Sequence, residues 1–145
     1  MKIIGRSIDE IEVGQTAVFT RSFSKKEVSA FADLSWDHNP YHTHEEFAKR
    51  GRFGKPIVHG MLVASAFTHF GGDFFPGPAI LATEVKVKFE KAVYIDETIT
   101  FTAKVTEVDK DNGWITYITT GTNEAGEQVV EVICKGMPTA IDVGK

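Results

Sequence analysis

From about residue 79 onward the hydrophobic period of the chain is two, and this restricts the fold more than any other feature. Val85, Val87 and Phe89 alternate with Lys86, Lys88 and Glu90; further on, Ile99, Phe101, Ala103 and Val105 alternate with mostly polar neighbours. Successive side chains of an extended chain point to opposite faces, so this pattern predicts strands with one dry and one wet face. "DNG" at 111–113 and "NEAG" at 123–126 are hairpin turns, which predicts strands over 114–122 and 127–136. A sheet with one dry face needs a cover. The segment "GMLVASAFTHF" supplies it: opened by Gly60 and ended by Gly71-Gly72, it is apolar or small almost all round, which predicts a helix buried on every side. The expected architecture is α+β, an antiparallel sheet wrapped around one apolar helix.

The first half reads as helical after a short strand in "TAVFTRSF". Ser24 followed by Glu27 forms a capping box, and Val28, Phe31 and Leu34 recur at helical spacing, which predicts a helix over about 25–35. A second pair, Thr43 and Glu46, is expected to cap a short helix ending near Gly51. Pro40 biases Asn39 out of the helical region, so residues 36–42 between the two are expected to form a turn. No repeat, linker or low-complexity tract interrupts the 145 residues, and one domain over 1–145 is the economical organisation. A chain of that length buries roughly 70% of the surface its unfolded form exposes.

Several function classes are disfavoured by composition. With 20 acidic against 16 basic residues the net charge is −4, which argues against a broad nucleic-acid or anionic-membrane surface. No apolar run approaches the roughly 18 residues of a membrane span, and "MKIIGRSIDEIEVGQ" meets acidic residues too early for a signal peptide. The single cysteine, Cys134, lies in the alternating run "VVEVICKG" and is expected to be an inert sheet thiol. The expected setting is a reducing compartment, cytoplasmic as in a bacterial-type cytosol, or else an organelle lumen.

The chemistry concentrates in "SWDHNPYHTHEEF", residues 35–47. Asp37, Asn39, Pro40 and His42 make the pattern Asp-x-Asn-Pro-x-His. A carboxylate and an imidazole on one proline-stiffened turn can share a water or a substrate proton, as acid-base chemistry near neutral pH requires. The same residues also suit a helix-end or Asx-turn aspartate beside a surface histidine, and spacing alone favours that reading. His38, His42 and His44 offer three imidazoles, but Pro40 breaks the continuous helix that would align them, and nothing nearby completes a tetrahedral set; no metal site is expected. A second stretch, "FGKPIVHGMLVAS" at 53–65, places Gly60 at the start of the apolar helix. There a free N–H would serve a developing oxyanion, or the glycine would simply make a tight turn.

Taken together, "FADLSWDHNPYHTHEEFAK" and "FGKPIVHGMLVAS" resemble the MaoC-like (R)-specific enoyl-CoA hydratases in both motifs, their order and their spacing. The resemblance implies a hot-dog fold and dimerisation by joining two sheets, with the active sites near the interface. It places the catalytic pair on Asp37 and His42 and the backbone oxyanion donor on Gly60, with Asn39 holding the turn and His59 as a supporting neighbour. It implies reversible addition of water to a trans-2-enoyl-CoA, giving the (R)-3-hydroxyacyl-CoA. No metal or redox cofactor is implied, because the thioester itself acidifies the alpha carbon. Alternatives within reach of the same residues are a dehydratase acting on acyl-carrier-protein thioesters, an acyl-CoA thioesterase and a non-catalytic acyl-CoA-binding subunit. Two features depart from the family pattern. Asp96-Glu97 stands where a Gly-Asp pair often enters a late strand, and "HFGGDFFPGPAILATEV" matches no acyl-pocket signature. Phe70, Phe74 and Phe75 either line a short acyl pocket or fill the core, and Lys86 and Lys88 either meet CoA phosphates or form a solvated face.

Overall fold

The computed structural model describes residues 1–145. Five antiparallel strands form the main sheet: β2 (Thr16–Arg21), β3 (Ile80–Phe89), β4 (Ile99–Asp109), β5 (Trp114–Thr122) and β6 (Gln128–Pro138), in the spatial order β2-β4-β5-β6-β3. Two short strands, β1 (Ile3–Gly5) and β7 (Ala140–Asp142), pair with each other and tie the chain ends together. The alternation read from sequence becomes the dry face: Ile99, Phe101, Ala103 and Val105 of β4, Ile115 and Tyr117 of β5, and Val130, Val132 and Cys134 of β6 are all buried. Against them pack Val63, Ala64, Ala66 and Phe70 of the apolar segment, within one cluster of 19 buried residues. Cys134 is fully enclosed and burial pushes its thiol up from the ordinary value, as suits an inert group.

The apolar helix differs from the expectation in two ways. It is interrupted, forming α4 (Gly60–Ala64) and α5 (Phe67–Gly72). Between them Ser65 and Ala66 keep helical dihedrals, but Ala66, Thr68 and His69 donate to residues three back, which tightens the turn. The Ser65 hydroxyl donates to the Leu62 carbonyl at 2.6 Å and that of Thr68 to Ser65 at 2.7 Å, so side chains compete for acceptors that a regular helix would use. Nor is the segment buried on every side, since Met61, Thr68 and His69 are exposed. The Tyr117 hydroxyl, buried in the sheet, donates to the Phe67 carbonyl just after the break.

Strand β3 also departs from the pattern. Val85, Val87 and Phe89 do point to the dry side, opposite Cys134, Val132 and Val130, yet Val85 and Phe89 are exposed and Val87 only half-buried. As one of the two outermost strands, β3 lies at the rim of the sheet.

In the first half, α1 (Lys25–Ser35) starts with the expected capping box: Glu27 N–H donates to Ser24 Oγ at 3.1 Å, and the Glu27 carboxylate accepts the Ser24 N–H at 2.8 Å. Two expectations need correction. Residues 36–42 are not turn throughout, because Asn39 caps a single helical turn, α2 (Pro40–Thr43), with Pro40 at its first position, where a missing N–H costs nothing. The helix that follows, α3 (Glu45–Arg50), is capped by His44 rather than Thr43: the Phe47 N–H donates to His44 Nδ1 at 3.1 Å, while Thr43 belongs to α2. The departure at Asp96-Glu97 is a tight turn in which Asp96 takes the left-handed conformation, φ 66°, and the Glu97 carboxylate accepts the Tyr94 N–H at 3.0 Å.

Candidate active site

The 36–43 turn is built by its own polar side chains. The Ser35 hydroxyl donates to the Phe31 carbonyl and accepts the Asp37 N–H, ending α1, and Trp36 turns the chain through a left-handed residue, φ 65°. Asp37 Oδ1 accepts the Asn39 N–H at 3.1 Å and Asn39 Oδ1 accepts the Tyr41 N–H at 3.1 Å, so each acidic or amide side chain stiffens the next step. The expectation of an Asx turn and that of an acid-base pair are therefore not rivals. Asp37 spends one oxygen on the turn and remains exposed.

His42 is half-buried on α2 and points back toward the loop before α4. Its Nδ1 lies 2.7 Å from the Ile57 carbonyl oxygen, an acceptor, so Nδ1 carries the hydrogen and Nε2 is the free lone pair of the neutral ring. The Ile57 N–H in turn donates to the Tyr41 carbonyl at 3.1 Å. Burial lowers the His42 pKa, with the Ile57 hydrogen bond opposing, His59 lowering it further and Asp37 raising it. His42 is thus held neutral at pH 7 and can accept a proton at Nε2. His59 is fully buried, stacked on His42 with ring centroids 4.0 Å apart and donating from Nε2 to the Asp37 main-chain carbonyl at 3.0 Å.

One carboxylate oxygen of Asp37 and one ring nitrogen each of His42 and His59 lie within 4.8 Å of one another. Toward a divalent ion the group is incomplete: His42 Nδ1 is committed to the Ile57 carbonyl, and His59 has its Nε2 committed to a carbonyl and its Nδ1 enclosed. The three imidazoles weighed as metal ligands from sequence are not brought together. His38 Nε2 pairs with Asp33 at 2.9 Å on the surface, which raises its pKa, and His44 caps α3.

Asp37, His59 and Gly60 stand on the wall of a cleft of about 900 Å³, with His42 immediately beside them. Its apolar wall includes Phe53, Ile57, Met61, Phe89 and Val129. Gly60 is the first residue of α4, so its N–H has no partner within the helix. A helix of five residues carries little dipole, and the donor acts as a single N–H. A Cβ at this position would lie 2.9 Å from the Phe89 ring, so a larger residue would require the Phe89 side chain to shift. A separate depression of about 490 Å³, between Ile11–Val13 and Glu107–Asp111, contains none of these residues.

Of the phenylalanines weighed for the acyl pocket, Phe70 is fully buried core, and neither Phe74 nor Phe75 lines the cleft. Lys86 and Lys88 are likewise outside it; Arg52 and Lys91 are the cations on its wall, and Lys91 is ion-paired with Glu127. Sequence reasoning missed Phe89 as a wall of the site and the bond from His59 to Asp37. The available signal was a histidine inside the apolar run "PIVHGMLVA", because a buried polar ring requires a partner.

Residues 8–128 match the family model of the MaoC like domain. The chain belongs to the MaoC-like family. It is 35% identical over 123 residues to the (R)-specific enoyl-CoA hydratase of Rhodospirillum rubrum, spanning 85% of each chain. To the (R)-specific enoyl-CoA hydratase of Aeromonas caviae it is 38% identical over 105 residues, 72% of this chain and 78% of that one. The solved structure of the A. caviae (R)-hydratase involved in PHA biosynthesis superposes with a TM-score of 0.84 at 34% identity, over 88% of this chain and 96% of that one. The α+β hot-dog fold expected from the motifs is the fold of this MaoC-like chain.

Proposed function

We propose that this MaoC-like protein is an (R)-specific enoyl-CoA hydratase, adding water reversibly and syn across the double bond of a trans-2-enoyl-CoA. The observation that carries this is the pairing of the Asp37 carboxylate with an imidazole held neutral, His42, within reach of one water on an apolar cleft that also presents the Gly60 N–H. In this reading the thioester oxygen accepts the Gly60 N–H. The pair takes one proton from water as its oxygen bonds to the beta carbon, and the electron pair of the double bond moves toward the thioester, where Gly60 stabilises the enolate. The pair then returns a proton to the alpha carbon, so nothing is oxidised or reduced and the residues end as they began. The close relatives named (R)-specific enoyl-CoA hydratase support the same reaction and a CoA carrier.

The assembly proposed with it is a homodimer. Leu81, Val85 and Phe89 are exposed apolar residues on edge strand β3, whose free backbone groups await a partner strand.

The deciding experiment follows the enoyl-thioester absorbance of crotonyl-CoA on adding protein, with a thiol reagent for free CoA and chiral analysis of product formed in heavy water. Loss of absorbance without free CoA, giving syn-labelled (R)-3-hydroxybutyryl-CoA, is expected. Release of CoA from saturated acyl-CoA identifies a thioesterase, turnover confined to carrier-protein thioesters the dehydratase, and binding without turnover a non-catalytic subunit; each overturns the proposal.

A further inference from the structure

His59 is 1% exposed, and its surroundings ask for an apolar residue. Its Nδ1 is enclosed with no hydrogen-bond partner, a defect that a leucine of similar size would not have. Such a defect is tolerated where the rest of the ring does something an apolar side chain cannot. Here the other nitrogen reaches across 22 positions of sequence to the Asp37 carbonyl. Three hydrogen bonds join the 36–43 turn to the segment 57–60. Two of them, from Ile57 N–H to the Tyr41 carbonyl and from His42 Nδ1 to the Ile57 carbonyl, hold the His42 end. Only the bond from His59 holds the Asp37 end. The ring is itself clamped, between His42 on one face and the Phe31 edge at 4.8 Å, and its main-chain carbonyl accepts the Val63 N–H within α4. The next peptide nitrogen is that of Gly60.

We propose that His59 is a positioning residue: through its Nε2–H bond to the Asp37 carbonyl it locks the acid-base turn and the Gly60 N–H into one rigid unit. This rests on the hydratase reading above. Without the bond, the turn keeps its own bonds and its tie to α1 through Ser35, but nothing fixes its Asp37 end against the segment 57–60, and a misplacement of about 1 Å in a reacting group costs on the order of a hundredfold in rate. His59 touches no reacting atom in this account. Its loss acts on kcat and leaves KM nearly unchanged, because the cleft wall that binds the acyl chain stays in place.

Two variants and one spectrum test it. His59→Leu fills the space without a donor, and His59→Gln puts an amide N–H near the position of Nε2. The Leu variant is expected to melt like the wild type or higher, with kcat reduced at least about tenfold and KM within about threefold; the Gln variant is expected to recover most of the lost kcat. Wild-type kcat in a folded Leu variant overturns the proposal, as does a folded Gln variant no better than Leu. Nitrogen-15 NMR of the ligand-free wild type at pH 7 gives a readout independent of turnover and of either variant's folding: a His59 proton on Nε2, slow to exchange, is expected. An Nε2 that carries no proton, or whose proton exchanges as fast as that of an exposed ring, overturns the proposal. The expected tautomer in a protein that fails to hydrate crotonyl-CoA would leave this clamp standing and overturn the proposed reaction alone.

Discussion

Removing Asp37 and His42 separately and together tests whether the two side chains handle one water. Two hydrogen bonds of about 2.8 Å to a shared oxygen span at most about 5.6 Å. A carboxylate oxygen of Asp37 and a ring nitrogen of His42 lie within 4.8 Å of each other, inside that span, so the two side chains are close enough to share one water. Asp37→Asn keeps the side-chain oxygen that accepts the Asn39 N–H, and His42→Ala removes a half-buried ring whose one hydrogen bond is to Ile57, so both variants are expected to fold. Each should lose roughly 10² to 10⁴ in kcat, the usual contribution of a positioned acid or base, which is about 2.7 to 5.4 kcal/mol of barrier. Independent groups would multiply those losses in the double variant, to roughly 10⁴ or beyond. Groups acting on one water cannot lose it twice, and the double variant should fall no more than about tenfold below the worse single variant. Initial rates of crotonyl-CoA hydration, with thermal melts to confirm folding, measure all three. A multiplicative double variant would refute the shared-water reasoning, and near-full activity in either folded single variant would refute the site.

Three further outcomes follow. In proton NMR the His42 ring should titrate with a midpoint below the ordinary histidine value of 6.5, because burial disfavours its charged form. The unfolded chain then binds more protons than the folded one between the two midpoints, so stability is full above 6.5 and falls as pH drops through that window. A midpoint at or above 6.5 contradicts the buried, neutral assignment. At the turn before β4, Asp96→Gly should match the wild type or gain up to about 1 kcal/mol, whereas Asp96→Val should lose at least about 1 kcal/mol, since a β-branched residue is strained at positive φ. Equal melting of the Val variant would show that the turn is not left-handed. Light scattering should give at least twice the 16.0 kDa of one chain, and an active monomer would refute pairing through β3.

Local information was enough for most elements. The capping box at Ser24 and Glu27, the hairpin turns at 111–113 and 123–126 and the alternation of β4, β5 and β6 each depend on residues a few positions apart, and the structure follows them closely. The motif around Asp37, Asn39 and His42 was legible for the same reason, since the turn is held by its own side chains. What failed depended on surroundings. Nothing within β3 distinguishes an edge strand from an inner one, and its exposure follows from having a neighbour on one side only. The interruption at Ser65 is decided by hydroxyls that find carbonyls within the helix, and the cap on α3 by a histidine whose ring happens to face the Phe47 N–H. The sequence by itself determined which ionisable side chains gather on the 36–43 turn and which residues alternate toward a core. Tertiary structure alone decided that Ile57 fixes the tautomer of His42, that the Phe89 ring packs against Gly60, and that His59 reaches the Asp37 carbonyl. Each of these joins segments 15 or more residues apart, and such contacts exist only once burial of the apolar helix has brought the two segments together.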